Sequence, residues 1–367
     1  MRTIPKVGSG KNQRTILVLF FLSILFFVLA RFLPSREGDA NQEEMTRASQ
    51  IMSSATEVLR ECQQKRGLLL DERSDVNQTG LIGLEFSPLT TSLGNLEAKR
   101  TTTNPNFAAL VVFLLKEAGV NTGDTIAVGA SGSFPALMVA VLSAAKVMKL
   151  RTLMICSLAA SQWGANNPDF HWLNMQDCLL QAGIFDTKPI ALSIGGERDT
   201  GEDMSSEGLL LLKKEIQESG IIFIYEPDLR RNVEAKMRLY EEKAEDTEIK
   251  AFINIGGSSS NLGEDSEILK LRPGLVKIRR FPPTEKRGIL YEMAAHNIPV
   301  IHLLYIKGLV QRYGLEWDPV PLPRPGEGGI YRLARERQPS YLFLVAVYFL
   351  LVAVVIIFRD KIESRAH

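Results

Sequence analysis

Histidine and cysteine are both scarce in this chain, with four and three among 367 residues. The cysteines, Cys62, Cys156 and Cys178, form no Cys-x-x-Cys pair and share no ligand spacing with a histidine. Neither a zinc site nor a dithiol redox centre is therefore expected, and no metal or cofactor is assigned. Cys156 sits in an apolar run and reads as a small buried hydrophobe. Cys62 and Cys178 could pair outside the cytoplasm, but no spacing demands it. There is no Walker lysine after a glycine loop and no GxGxxG, which excludes nucleotide binding by those routes. A dominant charge is also missing: 43 Lys and Arg stand against 42 Asp and Glu, a net +1. No global field recruits nucleic acid or polyanions, so any anion site must be local.

Long apolar runs are present, and they sit at the two ends. The second, 341–358, has no charged residue, and as a helix it would reach about 27 Å, close to the ~30 Å of a bilayer's hydrocarbon. The first, 16–33, follows Arg2, Lys6, Lys11 and Arg14 with no acid among them. That is also the look of a signal peptide, with Val28-Leu29-Ala30 as a cleavage site. Arg31, Phe32 and Leu33 continue the segment, which favours an uncleaved anchor. The expected layout is a cytoplasmic N-terminus (1–15), a membrane helix (16–33), a linker with an amphipathic helix (34–80), an extracytoplasmic α/β domain (81–315), a Pro/Gly/Arg-rich linker (316–340), a second membrane helix (341–358) and a cytoplasmic tail (359–367). The basic N-terminus sets this orientation. Arg332, Arg335 and Arg337, on the predicted outer side, cut against it. The bilayer is then an expected partner and nucleic acid is not.

Within 34–80, Met45, Ala48, Met52, Ala55, Leu59 and Cys62 recur at helical spacing. Beyond it, strands and helices alternate. Helices are expected at 107–118, 134–148, 206–218, 229–243 and 287–296, the first opening near Pro105 with Asn104 as cap. Strands are expected at 125–128, 152–156, 189–194, 221–225, 250–255 and near 300. Their apolar runs are too short to span a membrane. The fold class is α/β, an open, mostly parallel sheet with helices on both faces, flanked by a transmembrane helix at each end.

In such sheets ligands gather at the carboxyl ends of the strands. Three strand-terminal loops there are rich in glycine and serine. The first carries Gly129, Ser131, Gly132 and Ser133; the second Gly196, Arg198 and Asp199; the third Gly256, Gly257 and Ser258. Glycine lets a backbone approach a ligand closely, and free N–H groups at a helix start favour anions, so these residues are ligand-binding candidates. The bland alternative is that each loop is a turn. Small-x-Ser-x-small between strand and helix also resembles a nucleophile elbow with Ser131 as nucleophile. Its base would be His171, His296, His302 or Lys99. Glu85, Lys99, Trp163, Asn166 and His171 are candidates to line the same site, the last three in a loop rich in Trp and Asn.

The runs GLIGLEFSPLTTSLGNLEAKRTTTNPNFAAL, GDTIAVGASGSFPAL and SLAASQWGANNPDFHW, with GGERDTG and INIGGSSSNLG, resemble the poly-gamma-glutamate system protein family. That resemblance implies a bacterial envelope protein that accompanies the machinery making and exporting poly-gamma-glutamate, and so partners within it. It implies no catalytic residues. The expectation is an accessory membrane protein whose α/β domain binds a carboxylate-bearing ligand or the polymer. The alternatives are a serine hydrolase or transferase acting on the polymer, and a structural scaffold.

Overall fold

The computed structural model describes the backbone of residues 11–32, 36–336 and 339–358, and the side chains of 15–29, 40–335 and 343–358. In chain order the first elements are α1 (Lys11–Phe32), α2 (Arg36–Lys65), α3 (Leu96–Thr102), α4 (Asn106–Glu117), β1 (Thr125–Ser131), α5 (Pro135–Val147) and β2 (Arg151–Ser157). A two-stranded hairpin, β3 (Asn166–Asn167) and β4 (Phe170–His171), leads into α6 (Trp172–Gln181). Then come β5 (Ala191–Ser193), α7 (Ser206–Ser219), β6 (Ile222–Phe223), α8 (Leu229–Ala244), β7 (Ile249–Asn254) and α9 (Ser259–Leu262). The last are β8 (Gly274–Leu275), α10 (Ile289–Ala295), β9 (Val300–His302), α11 (Ile306–Tyr313), α12 (Gly329–Glu336) and α13 (Pro339–Ile357).

The chain divides into two units, 1–42 with 332–367, and 43–331. In the first, the Phe26 ring lies 5.3 Å from that of Tyr348, whose hydroxyl is 2.9 Å from Ser23 Oγ, so α1 packs on α13. Both expected membrane helices fall in these elements. However, among the described residues no helix is long and apolar enough to cross a membrane. The expected tail 359–367 lies outside the described residues, and within 1–15 the chain is already helical from Lys11. The linkers are also shorter than expected, because Arg36 begins α2 and Gly329 begins α12.

In the larger unit, seven strands run in the order β6-β5-β2-β1-β7-β9-β8. Every pairing is parallel except that of the edge strand β8 with β9. From β1 the chain first moves toward β2, β5 and β6, then returns to β7 on the other side. Right-handed crossovers in opposite directions put α5 and α8 on opposite faces. On the α8 face, Val233 and Tyr240 pack with Ala127, Leu153, Ile155 and Phe252, joined by Ile289 and Leu290 of α10. Helix α4 is buried from Asn106 to Leu115 and α5 from Pro135 to Ala145, so both read as apolar all round. Asn104 accepts the N–H of Asn106 at 3.0 Å, closing the start of α4 as its residue type suggests.

The helix α2 buries Met45, Ala48, Met52, Ala55 and Leu59, the stripe expected from its spacing. Its end is tied down covalently: Cys62 is disulfide-bonded to Cys178 of α6, with Cα atoms 6.3 Å apart. The bond closes a separation of 116 residues. Cross-linking so long a loop restricts the unfolded chain by roughly 4–5 kcal/mol. Reduction, or the double substitution Cys62→Ser with Cys178→Ser, should therefore lower the thermal unfolding midpoint of the full chain in detergent by several degrees. An unchanged midpoint on reduction would show that α2 is held by packing alone.

Candidate functional site

Where the strand order reverses, β1 and β7 are neighbours whose following loops run to opposite sides, which opens a crevice at their carboxyl ends. The first and third glycine loops follow these two strands, and the second follows β5. Residues of all three line one cavity of about 400 Å³, through Ser131, Ser133, Gly196, Gly257 and Ser258. The remaining glycines work beneath it. Gly256 has φ +92°, and a Cβ there would lie 2.6 Å from Ser131 Cβ. A Cβ on Gly132 would lie 2.5 Å from Leu158 O. Gly129 backs in the same way onto Asn261. These positions let the loops close on one another rather than on a ligand.

Serines mark the strand ends. Ser131, Ser157 and Ser193 stand in register across β1, β2 and β5. Behind them lies a buried ion pair: Lys236 Nζ of α8 is 2.6 Å from Asp199 Oδ2, with side chains 3% and 1% exposed. Asp199 also accepts from Ser193 Oγ at 2.8 Å and Asn232 Nδ2 at 3.2 Å, and Lys236 reaches Ser260 Oγ at 2.8 Å. One pair thus fastens the second loop to the third. Asp199 is fully engaged in this role. Arg198, beside it, has φ +52° and an exposed side chain 3.9 Å from Glu202, and it does not line the cavity.

Ser131 lies in the cavity wall, 5% exposed. Its Oγ donates to Ser133 Oγ at 3.2 Å and accepts the N–H of Ser133. Among the described residues no histidine or lysine is hydrogen-bonded to it. His171 caps α6, its Nδ1 accepting from Leu173 N at 3.4 Å. His296 Nδ1 is 2.8 Å from Glu292 O, and His302 Nδ1 is 2.9 Å from Asn254 Nδ2. Lys99, the fourth candidate, is 3% exposed and turns to a different serine: its Nζ lies 2.8 Å from Ser161 Oγ and also donates to the carbonyl of Ser133. Burial pulls its amine down to about 7.

The other candidate liners hold the scaffold. Asn166, fully buried, binds both the N–H and the C=O of Leu84 at 2.8 Å and also Thr90 Oγ1. Trp163 has φ +56° and donates its N–H to Leu84 O. Glu85 is exposed and does not line the cavity. The loop expected here is a hairpin, β3 with β4, that carries His171 into α6. The cavity itself is hydroxyl-rich. Its charged liners are Glu197 and Asp203, both exposed carboxylates, with no basic side chain among them.

The positive counterpart lies elsewhere. Beside the edge strand β8 is a groove of about 540 Å³ lined by Lys270, Arg272, Lys277, Arg279, Arg280 and Arg312, with Glu267 the one acid. Lys270 and Arg280 approach Glu267 at 2.6 and 3.8 Å. Among the described residues no carboxylate pairs with Arg272, Lys277 or Arg279. The signal was in the sequence: 270–280 reads KLRPGLVKIRR, five cations without an acid. Sequence reasoning passed over it because the charge of the whole chain balances. Comparison with family models, curated proteins and solved structures finds no match to this chain.

Two histidines make the fold acid-sensitive. Burial pulls His171 down to about 4, aided by the Arg66 charge, and burial does the same to His302. Glu215 lies 3.9 Å from His171 Nε2, but it is one-third exposed and does not offset the burial. Above the ordinary value of 6.5 both states are neutral and the full stability is present. Below it the unfolded chain takes protons that the folded chain refuses, so stability falls until pH reaches about 4. At pH 5 the loss should be about 2 kcal/mol per histidine. Denaturant unfolding at pH 7 and 5 checks this, and His171→Asn, which keeps a capping side chain, should halve the difference.

Proposed function

We propose that this chain is a membrane-anchored accessory protein of bacterial poly-gamma-glutamate production or export, with its α/β unit outside the cytoplasm and in contact with the polymer. The resemblance of its long motifs supports the pathway. The anchoring is supported by the two terminal apolar helices, where Phe20, Phe21, Phe27, Phe343 and Phe349 are each more than half exposed. Aromatic side chains left uncovered at that density suit a lipid environment. The Cys62–Cys178 bond agrees with an oxidising compartment. Partners in the same machinery follow from the pathway alone.

The observation that carries polymer binding is the basic groove. Poly-gamma-glutamate presents one carboxylate per residue, and a row of cations lacking local counter-charges attracts such a chain strongly at low salt. The carboxylate-bearing ligand belongs to this groove rather than to the glycine loops, whose cavity carries acids of its own. A hydrolase with Ser131 as nucleophile draws no support, since among the described residues that hydroxyl is hydrogen-bonded to Ser133 and to no base.

Full-length protein in detergent, titrated into fluorescent poly-gamma-glutamate and read by anisotropy, tests the proposal. The combined substitutions Arg272→Glu, Lys277→Glu and Arg279→Glu should weaken binding on the order of a hundredfold, and raising salt to about 0.5 M should act in the same direction. Binding that ignores both the substitutions and the salt would remove the polymer from this groove.

A further inference from the structure

A buried lysine lies beneath the cavity. Among the described residues no carboxylate pairs with Lys99. Its surroundings are Ser161 Oγ at 2.8 Å, the Ser133 carbonyl and the ring of Phe134, whose centroid is 4.0 Å from Nζ. An ammonium so placed would be a buried charge met by dipoles and a ring but no counter-charge, which is costly. As the contacts stand, Nζ donates to the Ser133 carbonyl and to Ser161 Oγ; once the amine loses a proton, its lone pair is within reach to accept from the same hydroxyl. Ser161 is 8% exposed and lines the cavity, so the residue that meets the base also borders the open space.

We propose that Ser161 and Lys99 form a serine–lysine dyad that makes this cavity an acyl-transfer site. Ser161 is the nucleophile and Lys99 its base. The first glycine loop supplies the positioning. Ser133 Oγ accepts the N–H of Ser161 at 3.0 Å, and Ser131 Oγ donates in turn to Ser133 Oγ. The serine that resembles an elbow nucleophile therefore holds the segment that carries the real one.

The step balances without any further group. Ser161 Oγ bonds to the acyl carbon of an ester or amide as its proton passes to Lys99 Nζ. The carbon–oxygen or carbon–nitrogen bond breaks, and the departing alcohol or amine takes that proton. Water then repeats the sequence: its proton goes to Nζ, its oxygen bonds the acyl carbon, and Ser161 leaves with the proton, releasing a carboxylic acid. The Phe134 face steadies the ammonium present between transfers. Glu197 and Asp203 at the cavity wall select the substrate class. They favour an ester or amide that is neutral or amine-bearing near the reacting carbonyl, and disfavour a polycarboxylate. This activity is independent of polymer binding in the basic groove.

The test treats full-length protein in detergent with an alkyl fluorophosphonate, which takes Ser161 Oγ onto phosphorus and loses fluoride, and maps the adduct by peptide mass spectrometry. A single adduct on Ser161 is expected, at a rate that rises through about pH 7 as Lys99 loses its proton. No charged side chain faces that amine among the described residues, so one ionisation should govern the profile. Lys99→Met should slow labelling at least a hundredfold, whereas Lys214→Ala, on the exposed face of α7, should label at the wild-type rate. Loss of polymer binding with intact labelling, or the reverse, tells the two proposals apart. An adduct on Ser131 instead, no adduct at all, or wild-type labelling of Lys99→Met would overturn the dyad. If Lys99→Met does not fold, Ser161→Cys replaces it. Its thiol, beside the lysine, should react with iodoacetamide at about pH 6.5 at least tenfold faster than free cysteine, and a rate no faster than free cysteine would equally overturn the assignment.

Discussion

The buried pair of Lys236 and Asp199 is the interaction on which the cavity depends. It joins three elements that the sheet alone would leave separate. Asp199 belongs to the loop after β5, Lys236 to α8, and Ser260 to the short helix after β7. The strands between them, β2 and β1, contribute Ser157 and Ser131 at the same level. The sheet thus fixes the height of the cavity floor, and the ion pair fixes how far the two outer loops lean over it. A buried pair of this kind adds little net stability, but losing one partner leaves a charge without compensation and costs about 3–5 kcal/mol. Its value here is geometric: it sets one arrangement of two glycine-rich loops that have few side chains of their own to pack.

Burial determines the chemistry in both halves of the account. At Lys99 it withdraws the solvent that would keep an amine charged, and the neighbours that replace water are a hydroxyl, a carbonyl and an aromatic face. At the groove beside β8 the opposite holds. Arg272, Lys277 and Arg279 are not buried, keep their hydration, and attract an anion through long-range field rather than fitted contacts. One molecule therefore carries a hydroxyl-lined cavity with two carboxylates at its wall and a cationic groove, and these suit different ligands.

The alternation of strands and helices was legible because short apolar runs and glycine stops recur with the right periods. The helix read at 206–218 is Ser206–Ser219, the strand read at 152–156 is Arg151–Ser157, and the strand near 300 is Val300–His302. The convergence of the glycine loops followed from the constant sense of that alternation. What sequence could not supply was pairing. Nothing in the spacing of Cys62 and Cys178 places α2 against α6, and nothing local points Lys99 at Ser161, 62 residues away. Likewise Asn166 and Trp163 looked like site residues because polar and aromatic side chains in a loop often are. Here the backbone at Gly83 and Leu84 needed hydrogen-bond partners: Asn166 bridges the N–H and C=O of Leu84, and the Trp163 backbone pairs with Gly83 and Leu84.

Hydrogen exchange tests the central claim most directly. In Lys236→Met, a side chain of similar length without the charge, Asp199 loses its partner and both loops lose their tether. The account predicts faster exchange of the backbone amides at 195–204 and 256–263, with β1 and β2 protected as in the wild type. Unchanged protection in both loops would contradict it, and so would a loss spread evenly through the sheet, which would make the pair a general stabiliser rather than the clasp of the cavity.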